Sequence, residues 1–417
     1  MPVCCCDKRG VTCSTLQPLQ KRWRLLVERV CLLLSQVLIS CWWIGRCRLT
    51  TRVVLQSEGS QTDSSDEGIM SALKHYGHRY KISLGEVTRN CISNARLLRR
   101  PDLPTDLTFE GKVVIVTGGN RGIGRKVSTI LVQRKVTRLI IACRDVSLGQ
   151  VAADDIKKDF PETESTIVVY QLDLSSRESI RRFTEEITAK EAKVDALINN
   201  AAILTYDRRE TIDGDEMMIG VNYFGTVMLT FLLFDHLKAT SADPRIIFVS
   251  SIAHTETRRV RLQDMQWKKE GSFPFFQVYG HTKLALLLFL SKFAQKSKEL
   301  GVLVYAVDPG VSKTDLGRDV NPRGGFSAAE IMLRGGIARP GMRSVHEAAT
   351  SVLWPLAFKR EEYDALRFNS RDGAFQEVSP GGKDQAAAEQ LWNLTADHLH
   401  LPLMRSWGES SVPLSST

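Results

Sequence analysis

Tyr279 and Lys283 stand four residues apart, ahead of an apolar run over residues 284–293. On a helix this spacing puts both side chains on one face. A free phenol titrates near pH ~10, too high to ionise readily at neutral pH. An ammonium one turn away favours the phenolate and lowers that value, so the pair is a candidate general acid/base. Hydride transfer to a carbonyl needs such a proton donor at the oxygen. A Y-x-x-x-K spacing is common by chance, and its weight here comes from the neighbouring motifs. Ser250 and Ser251 end an apolar run upstream of Tyr279. A hydroxyl at that place can hydrogen-bond a substrate oxygen and stabilise developing charge. Asn222 lies in a long helical stretch between two apolar runs. A buried amide in a helix needs a partner. Either a water linking it to Lys283 or a structural hydrogen bond would provide one.

A second constellation precedes this one. Thr117, Gly118, Gly119, Asn120, Arg121, Gly122, Ile123 and Gly124 follow an apolar run and open a helix-length segment. Glycines at such a junction allow a tight turn and close backbone approach, and a helix N-terminus offers free N–H groups to a pyrophosphate. About 20 residues on, where a carboxylate would hold a ribose 2′-hydroxyl, the chain has Cys143 and Arg144. Two guanidiniums, Arg121 and Arg144, suit a 2′-phosphate, which points to NADP(H). Asp145 is the objection, and one residue further on it is expected to point elsewhere. Asp173 and Leu174 end the third apolar run, where a carboxylate can accept from an adenine amino group. Asn199, Asn200, Ala201 and Ala202 end the fourth and would support the nicotinamide-side ribose. Asp308, Pro309, Gly310 and Val311 follow the sixth, with Thr314 downstream, and backbone groups there would clamp a carboxamide.

These residues need a scaffold that collects strand ends. Apolar, β-branched runs at 112–117, 138–143, 166–171, 194–199, 245–250 and 302–307 alternate with helix-length amphipathic segments. That alternation predicts an α/β fold, a Rossmann-type doubly wound parallel sheet with helices on both faces. Open sheets of this kind bind ligands at the carboxyl ends of their strands, where every candidate residue falls. The predicted domain spans 109–400, with a tail at 401–417.

The first 108 residues read differently. Residues 1–55 are basic and hold seven of the nine cysteines. Residues 25–45 are expected to form an N-terminal apolar helix, either a membrane anchor, with Trp42 and Trp43 suited to an interface, or an amphipathic helix or leader. Residues 56–68 are a polar, Ser- and acid-rich linker, and 56–108 as a whole connects to the main domain. Only Cys91 and Cys143 lie beyond residue 47, so a disulfide framework is not expected and the domain suits a reducing compartment. The net charge of +9 resides largely in the N-terminal arm, with no motif for nucleic acid. The histidines lack metal-ligand spacing, and His398 and His400 read as surface residues. Trp267, Phe273, Phe275 and Phe276 precede Tyr279 and either line an apolar mouth or pack a core.

Taken in order, TGGNRGIG, DL, NNAA, Asn222, SS, YGHTK and DPG resemble the short-chain dehydrogenase/reductase superfamily over about residues 109–400. The resemblance implies Asn222, Ser251, Tyr279 and Lys283 as a catalytic tetrad. The stretch from Ala142 to Asp145, the stretch from Val249 to His254, and Leu391-Trp392 are similar to the membrane-associated retinol dehydrogenase-like subgroup. That implies a small lipophilic alcohol or carbonyl substrate and attachment to the endoplasmic reticulum or mitochondrion. Ala202 departs from the glycine usual in the family. A non-catalytic scaffold that kept the fold is the competing reading, and the retained Tyr279 and Lys283 speak against it.

Overall fold

The computed structural model describes residues 102–268, 273–310, 312, 343–360, 368–369, 375–376 and 378–409. The apolar segment 25–45, the linker 56–68, Val311 and Thr314 lie outside these residues.

The predicted runs form strands β1 (Val113–Thr117), β2 (Arg138–Cys143), β3 (Thr166–Gln171), β4 (Ala196–Asn199), β5 (Arg245–Val249) and β6 (Leu303–Val307). β1, β4, β5 and β6 are buried along their whole length. That is the signature of parallel strands covered on both faces, and it explains why they read as continuous apolar runs. Two further strands, β7 (Phe368–Asn369) and β8 (Phe375–Gln376), were not expected. Two residues each are too few to make an apolar run.

The sheet order is β3-β2-β1-β4-β5-β6-β7-β8. The pairs are parallel except β7 with β8. Strand order reverses between β1 and β4, which creates the crevice where doubly wound sheets bind ligands.

Helices α1 (Gly122–Gln133), α2 (Val146–Asp159) and α3 (Arg177–Lys190) alternate with the first strands. Then come α4 (Met217–Thr240), α5 (Phe275–Glu299), α6 (Val345–Ala357), α7 (Gln385–Leu399) and α8 (Pro402–Glu409). One face of the sheet buries Val127 and Leu131 of α1, Ile156 of α2, and Val352 and Leu353 of α6. The other buries Phe183 of α3, Phe224 and Phe234 of α4, Phe289 and Phe293 of α5, and Trp392 of α7. Helices therefore cover both faces, as predicted.

α4 is long and apolar enough to cross a membrane by length and composition, with mean hydropathy 1.7, yet 89% of that apolar window is buried. It is a core helix. Its first turns are widened into a π-turn over Gly220–Gly225. α8 carries the packed chain past residue 400. The Trp392 indole stacks on Phe289 with centroids 5.5 Å apart and donates to the Met404 carbonyl at 2.9 Å. Met404 is fully buried. His398 is partly exposed, and its Nε2 lies 2.7 Å from the buried Asp215 carboxylate, which Arg177 also pairs.

Candidate active site

Three strand ends and two helices build the site. β5 stops at Val249, and the Ser250 N–H donates to the Val307 carbonyl of β6 at 2.8 Å. Ser251 then caps a 3-10 turn, Ile252–Glu256, its Oγ accepting from the Ala253 N–H at 3.1 Å. The turn presents the Ser251 hydroxyl to α5, where it favours the ionised form of the Tyr279 phenol. One turn along α5, Lys283 Nζ donates to the Val249 carbonyl at 2.9 Å and lies 5.6 Å from the centre of the Tyr279 ring. Both side chains are buried, Tyr279 at 7% and Lys283 at 3% exposure.

The electrostatics correct one expectation. The Tyr279 phenol is held well above its ordinary range, chiefly by burial and then by the Asp308 carboxylate, with the Ser251 hydroxyl pulling the other way. Spacing alone suggested a phenol pushed down by Lys283. Desolvation of the phenolate dominates because the ring has left water. Burial likewise lowers the Lys283 ammonium to about 8, against the opposing charge of Asp308.

Gly280 makes the encounter of Tyr279 with Ser251 sterically possible. A Cβ at Gly280 would sit 2.4 Å from the Ala253 carbonyl oxygen and 3.0 Å from Glu256 Cβ. No sequence signal marked this residue beyond its place beside Tyr279. Gly280→Ala is expected to spread α5 from the turn that carries Ser251. A displacement of an ångström typically costs on the order of 100-fold in rate. Steady-state kinetics should show kcat falling with dinucleotide affinity retained.

Asn222 has the partners that a buried amide in a helix needs. Its Oδ1 accepts from the Ile203 N–H at 2.8 Å, and its Nδ2 donates to the Ile203 carbonyl at 2.9 Å and to Thr282 Oγ1 at 3.4 Å. The amide braces the segment after β4 against α5, with Thr282 adjoining Lys283. The π-turn supplies the close fit.

At the crevice, the loop between β1 and α1 has Gly118 and Gly122 at positive φ. A Cβ on Gly124 would lie 2.3 Å from the Gly118 carbonyl oxygen and 2.5 Å from Asn200 Nδ2. That Asn200 amide donates to the Thr117 carbonyl at 2.8 Å. Thr117 Oγ1 in turn accepts from the N–H groups of Asn200 and Ala201, both at 3.0 Å. Thr117 was not among the expected site residues, although it opens the glycine motif. Ile123 packs against the core, and Asn120 is half-buried in the loop.

Side chains cap the helices that follow β2 and β3, Asp145 on α2 and Ser176 on α3. α1 has neither a side-chain cap nor an acidic residue in its first turn. Its N–H groups therefore suit a pyrophosphate, and the residues present fit a dinucleotide.

Arg121 and Arg144 are exposed at the ends of the adjacent strands β1 and β2. Asp145 is engaged elsewhere, its carboxylate accepting from the Leu148 N–H at 3.0 Å. Cys143 is buried, and its thiol is pushed up to about 11 by burial. Asp173 is half-buried, its Oδ1 accepting from the N–H and hydroxyl of Ser175, and Leu174 is buried beside it. After β6, the Pro309 carbonyl accepts from Arg343 at 2.9 Å and the Gly310 N–H donates to Asp308 Oδ1 at 2.9 Å. Both backbone groups thus already have partners within the chain.

Above the phenol the surroundings are apolar. Tyr279 packs with Met218, Ala253, Trp267 and Val278, and half-buried Phe273, Phe275 and Phe276 lie against them. Trp267 is held by His281 and by the Arg261 guanidinium, 4.1 Å from its ring centre.

Comparison with known proteins agrees with this geometry. Residues 112–262 match the family model described as short chain dehydrogenase. Retinol dehydrogenase 12 from Mus musculus is 37% identical over 296 residues, covering 71% of this chain and 88% of its own. Retinol dehydrogenase 13 from Mus musculus is 36% identical over 295 residues, covering 70% and 85%. Among solved structures, an uncharacterized protein from Mycobacterium paratuberculosis aligns with TM-score 0.53 and 28% identity, over 72% of this chain and 96% of the other. A crevice at a strand-order reversal, a glycine loop opening an uncapped helix, and a serine hydroxyl near a buried tyrosine beside a lysine stand in a chain 37% identical to a retinol dehydrogenase, and the chain belongs to the short-chain dehydrogenase/reductase family of oxidoreductases.

Proposed function

We propose that this protein is an NADP(H)-dependent oxidoreductase interconverting a lipophilic alcohol and its aldehyde or ketone, with Tyr279 as general acid/base. The buried Tyr279 phenol, with the Ser251 hydroxyl and the Lys283 ammonium beside it, carries the reading. This grouping places a proton donor and a hydrogen-bond donor together, as a carbonyl oxygen gaining charge requires. The dinucleotide, when bound, supplies or accepts the hydride. Gly118, Asn120, Arg121, Gly122, Ile123 and Gly124 would hold its pyrophosphate, and Asp173, Leu174 and Asn200 its adenine and ribose sides. Pro309, Gly310, Val311 and Thr314 would flank the nicotinamide.

The chain's own residues do the rest. Tyr279 gives its proton to the carbonyl oxygen in reduction and takes it from the hydroxyl in oxidation. Ser251 holds that oxygen, and Lys283 orients the phenol side of the site. Asn222 fixes the wall between them through Ile203. The aromatic surroundings of Tyr279 exclude water and favour an apolar substrate, and a retinoid is the first class to try, given the names of the relatives. Residues 109–400 form the catalytic domain in this reading. Residues 25–45 attach it to the endoplasmic reticulum or mitochondrial membrane, with 56–108 as connection and the domain on the reducing side.

A panel of retinal, steroid ketones and medium-chain aldehydes, each assayed with NADPH and NADH, tests the proposal. Turnover of at least one lipophilic carbonyl with NADPH is the expected result, and bound NADPH with no turnover across the panel would favour a non-catalytic scaffold. Arg144→Asp removes one guanidinium and adds a carboxylate at the 2′-phosphate position. Charge-assisted contacts of this kind are worth about 1.5–3 kcal/mol, so NADPH preference should fall by at least ~10-fold. Unchanged selectivity in kcat/KM would remove the 2′-phosphate assignment.

A further inference from the structure

Asp308 follows β6 and opens the stretch read above as a backbone clamp, where its side chain was given no role. It is 1% exposed. β5 and β6 pair Val249 with Val307, and the Ser250 N–H bonds the Val307 carbonyl, so Asp308 leaves the sheet beside Ser250 and Ser251. Lys283 Nζ rests on the Val249 carbonyl at that same strand end. Asp308 Oδ1 is anchored by the Gly310 N–H at 2.9 Å, so the carboxylate is positioned independently of Lys283.

The charged and titratable groups around it come from three directions. Tyr279 and Lys283 face it from α5, and its charge acts on both. His254, buried at 2%, faces it from the turn after β5, with Nδ1 held 2.8 Å from the Ser251 carbonyl oxygen. Arg343 reaches the neighbouring Pro309 carbonyl and Ser351 Oγ.

We propose that Asp308 is the buried counter-ion of the Tyr279–Lys283 pair, a positioning residue whose charge keeps both protons on the pair at neutral pH. A lone ammonium in this setting would shed its proton to escape desolvation. A fixed anion in a poorly solvated site opposes that loss. The same anion cancels the cation that would otherwise draw the proton from the phenol. Tyr279 then faces a neutral pair of charges and stays a phenol, the form that donates a proton in carbonyl reduction. Because the two groups are coupled, the anion raises both of their proton-loss steps together. The inference rests on the acid/base role given to Tyr279 above, but its first test does not.

The test follows Lys283 by NMR in the full chain labelled with ε-13C lysine, its signal assigned by its absence in Lys283→Arg. Asp308→Asn keeps an acceptor for Gly310 and removes the charge. Lys283 is expected to titrate about one pH unit lower in Asp308→Asn than in the wild type, a tenfold change in its protonated-to-neutral ratio. The alkaline limb of NADPH-driven carbonyl reduction should move down with it, and Asp308→Glu should recover most of both shifts. An unmoved Lys283 titration in folded Asp308→Asn overturns the proposal. A moved titration with no carbonyl turnover in either protein leaves the counter-ion standing and removes the proposed function instead. Should circular dichroism show Asp308→Asn unfolded, Asp308→Ser, whose hydroxyl can still accept from Gly310, is read in the same way.

Discussion

Tyr279→Phe is expected to lower kcat by roughly 100- to 10,000-fold, the range typical of a lost general acid/base. The ring keeps its packing against Met218, Ala253, Trp267 and Val278, so the fold should hold. Only the hydroxyl goes. Ser251 Oγ keeps its partner, the Ala253 N–H. The cost to stability is at most that of one net hydrogen bond, about 1 kcal/mol. Single-turnover kinetics with NADPH would separate the effects: dinucleotide affinity stays near wild type and the chemical step collapses. Retained turnover would mean that another group delivers the proton.

Gly124→Val should act at the other end of the crevice. Its first carbon would stand 2.3 Å from the Gly118 carbonyl oxygen, a main-chain atom held in a turn. Neither that oxygen nor the Asn200 amide at 2.5 Å is the far end of a flexible chain, because Asn200 is tied to Thr117. The loop must open, and overpacking of this sort costs about 1–3 kcal/mol or more. Part of that falls on stability and part on the alignment of the α1 N–H groups. NADPH binding followed by tryptophan fluorescence should weaken at least ~10-fold, with thermal unfolding moved to lower temperature. Equal NADPH affinity in the variant would mean that the loop does not cradle the dinucleotide.

The sheet was legible because its strands are buried on both faces. β-Branched runs of four to six residues are a direct imprint of that burial, and the observed ends differ from the expected ones by at most two residues. The trimmed positions, such as Lys112, Val194 and Ser250, are apolar-run neighbours that stand outside the ladder. Residues at strand ends were legible for the same reason. What escaped depends on contacts between segments far apart in sequence. Gly280 matters only because the Ala253 carbonyl approaches it, and Asp308 only because β5 and β6 end together. The phenol's upward shift escaped as well, since spacing on one helix reveals a neighbouring charge but not the loss of water around it.

The widened turn at Gly220–Gly225 acts on the whole of α4 as a change of phase. An inserted residue rotates everything downstream by about 100° relative to an unbroken helix. Two stretches of one element can therefore address different neighbours: Asn222 reaches Ile203 and Thr282, while Phe231 and Phe234 meet the C-terminal aromatic cluster around Trp407. Shortening α4 by a single residue would restore a regular spiral and still break one of the two appointments. A one-residue deletion is therefore expected to cost far more inside α4 than at either end.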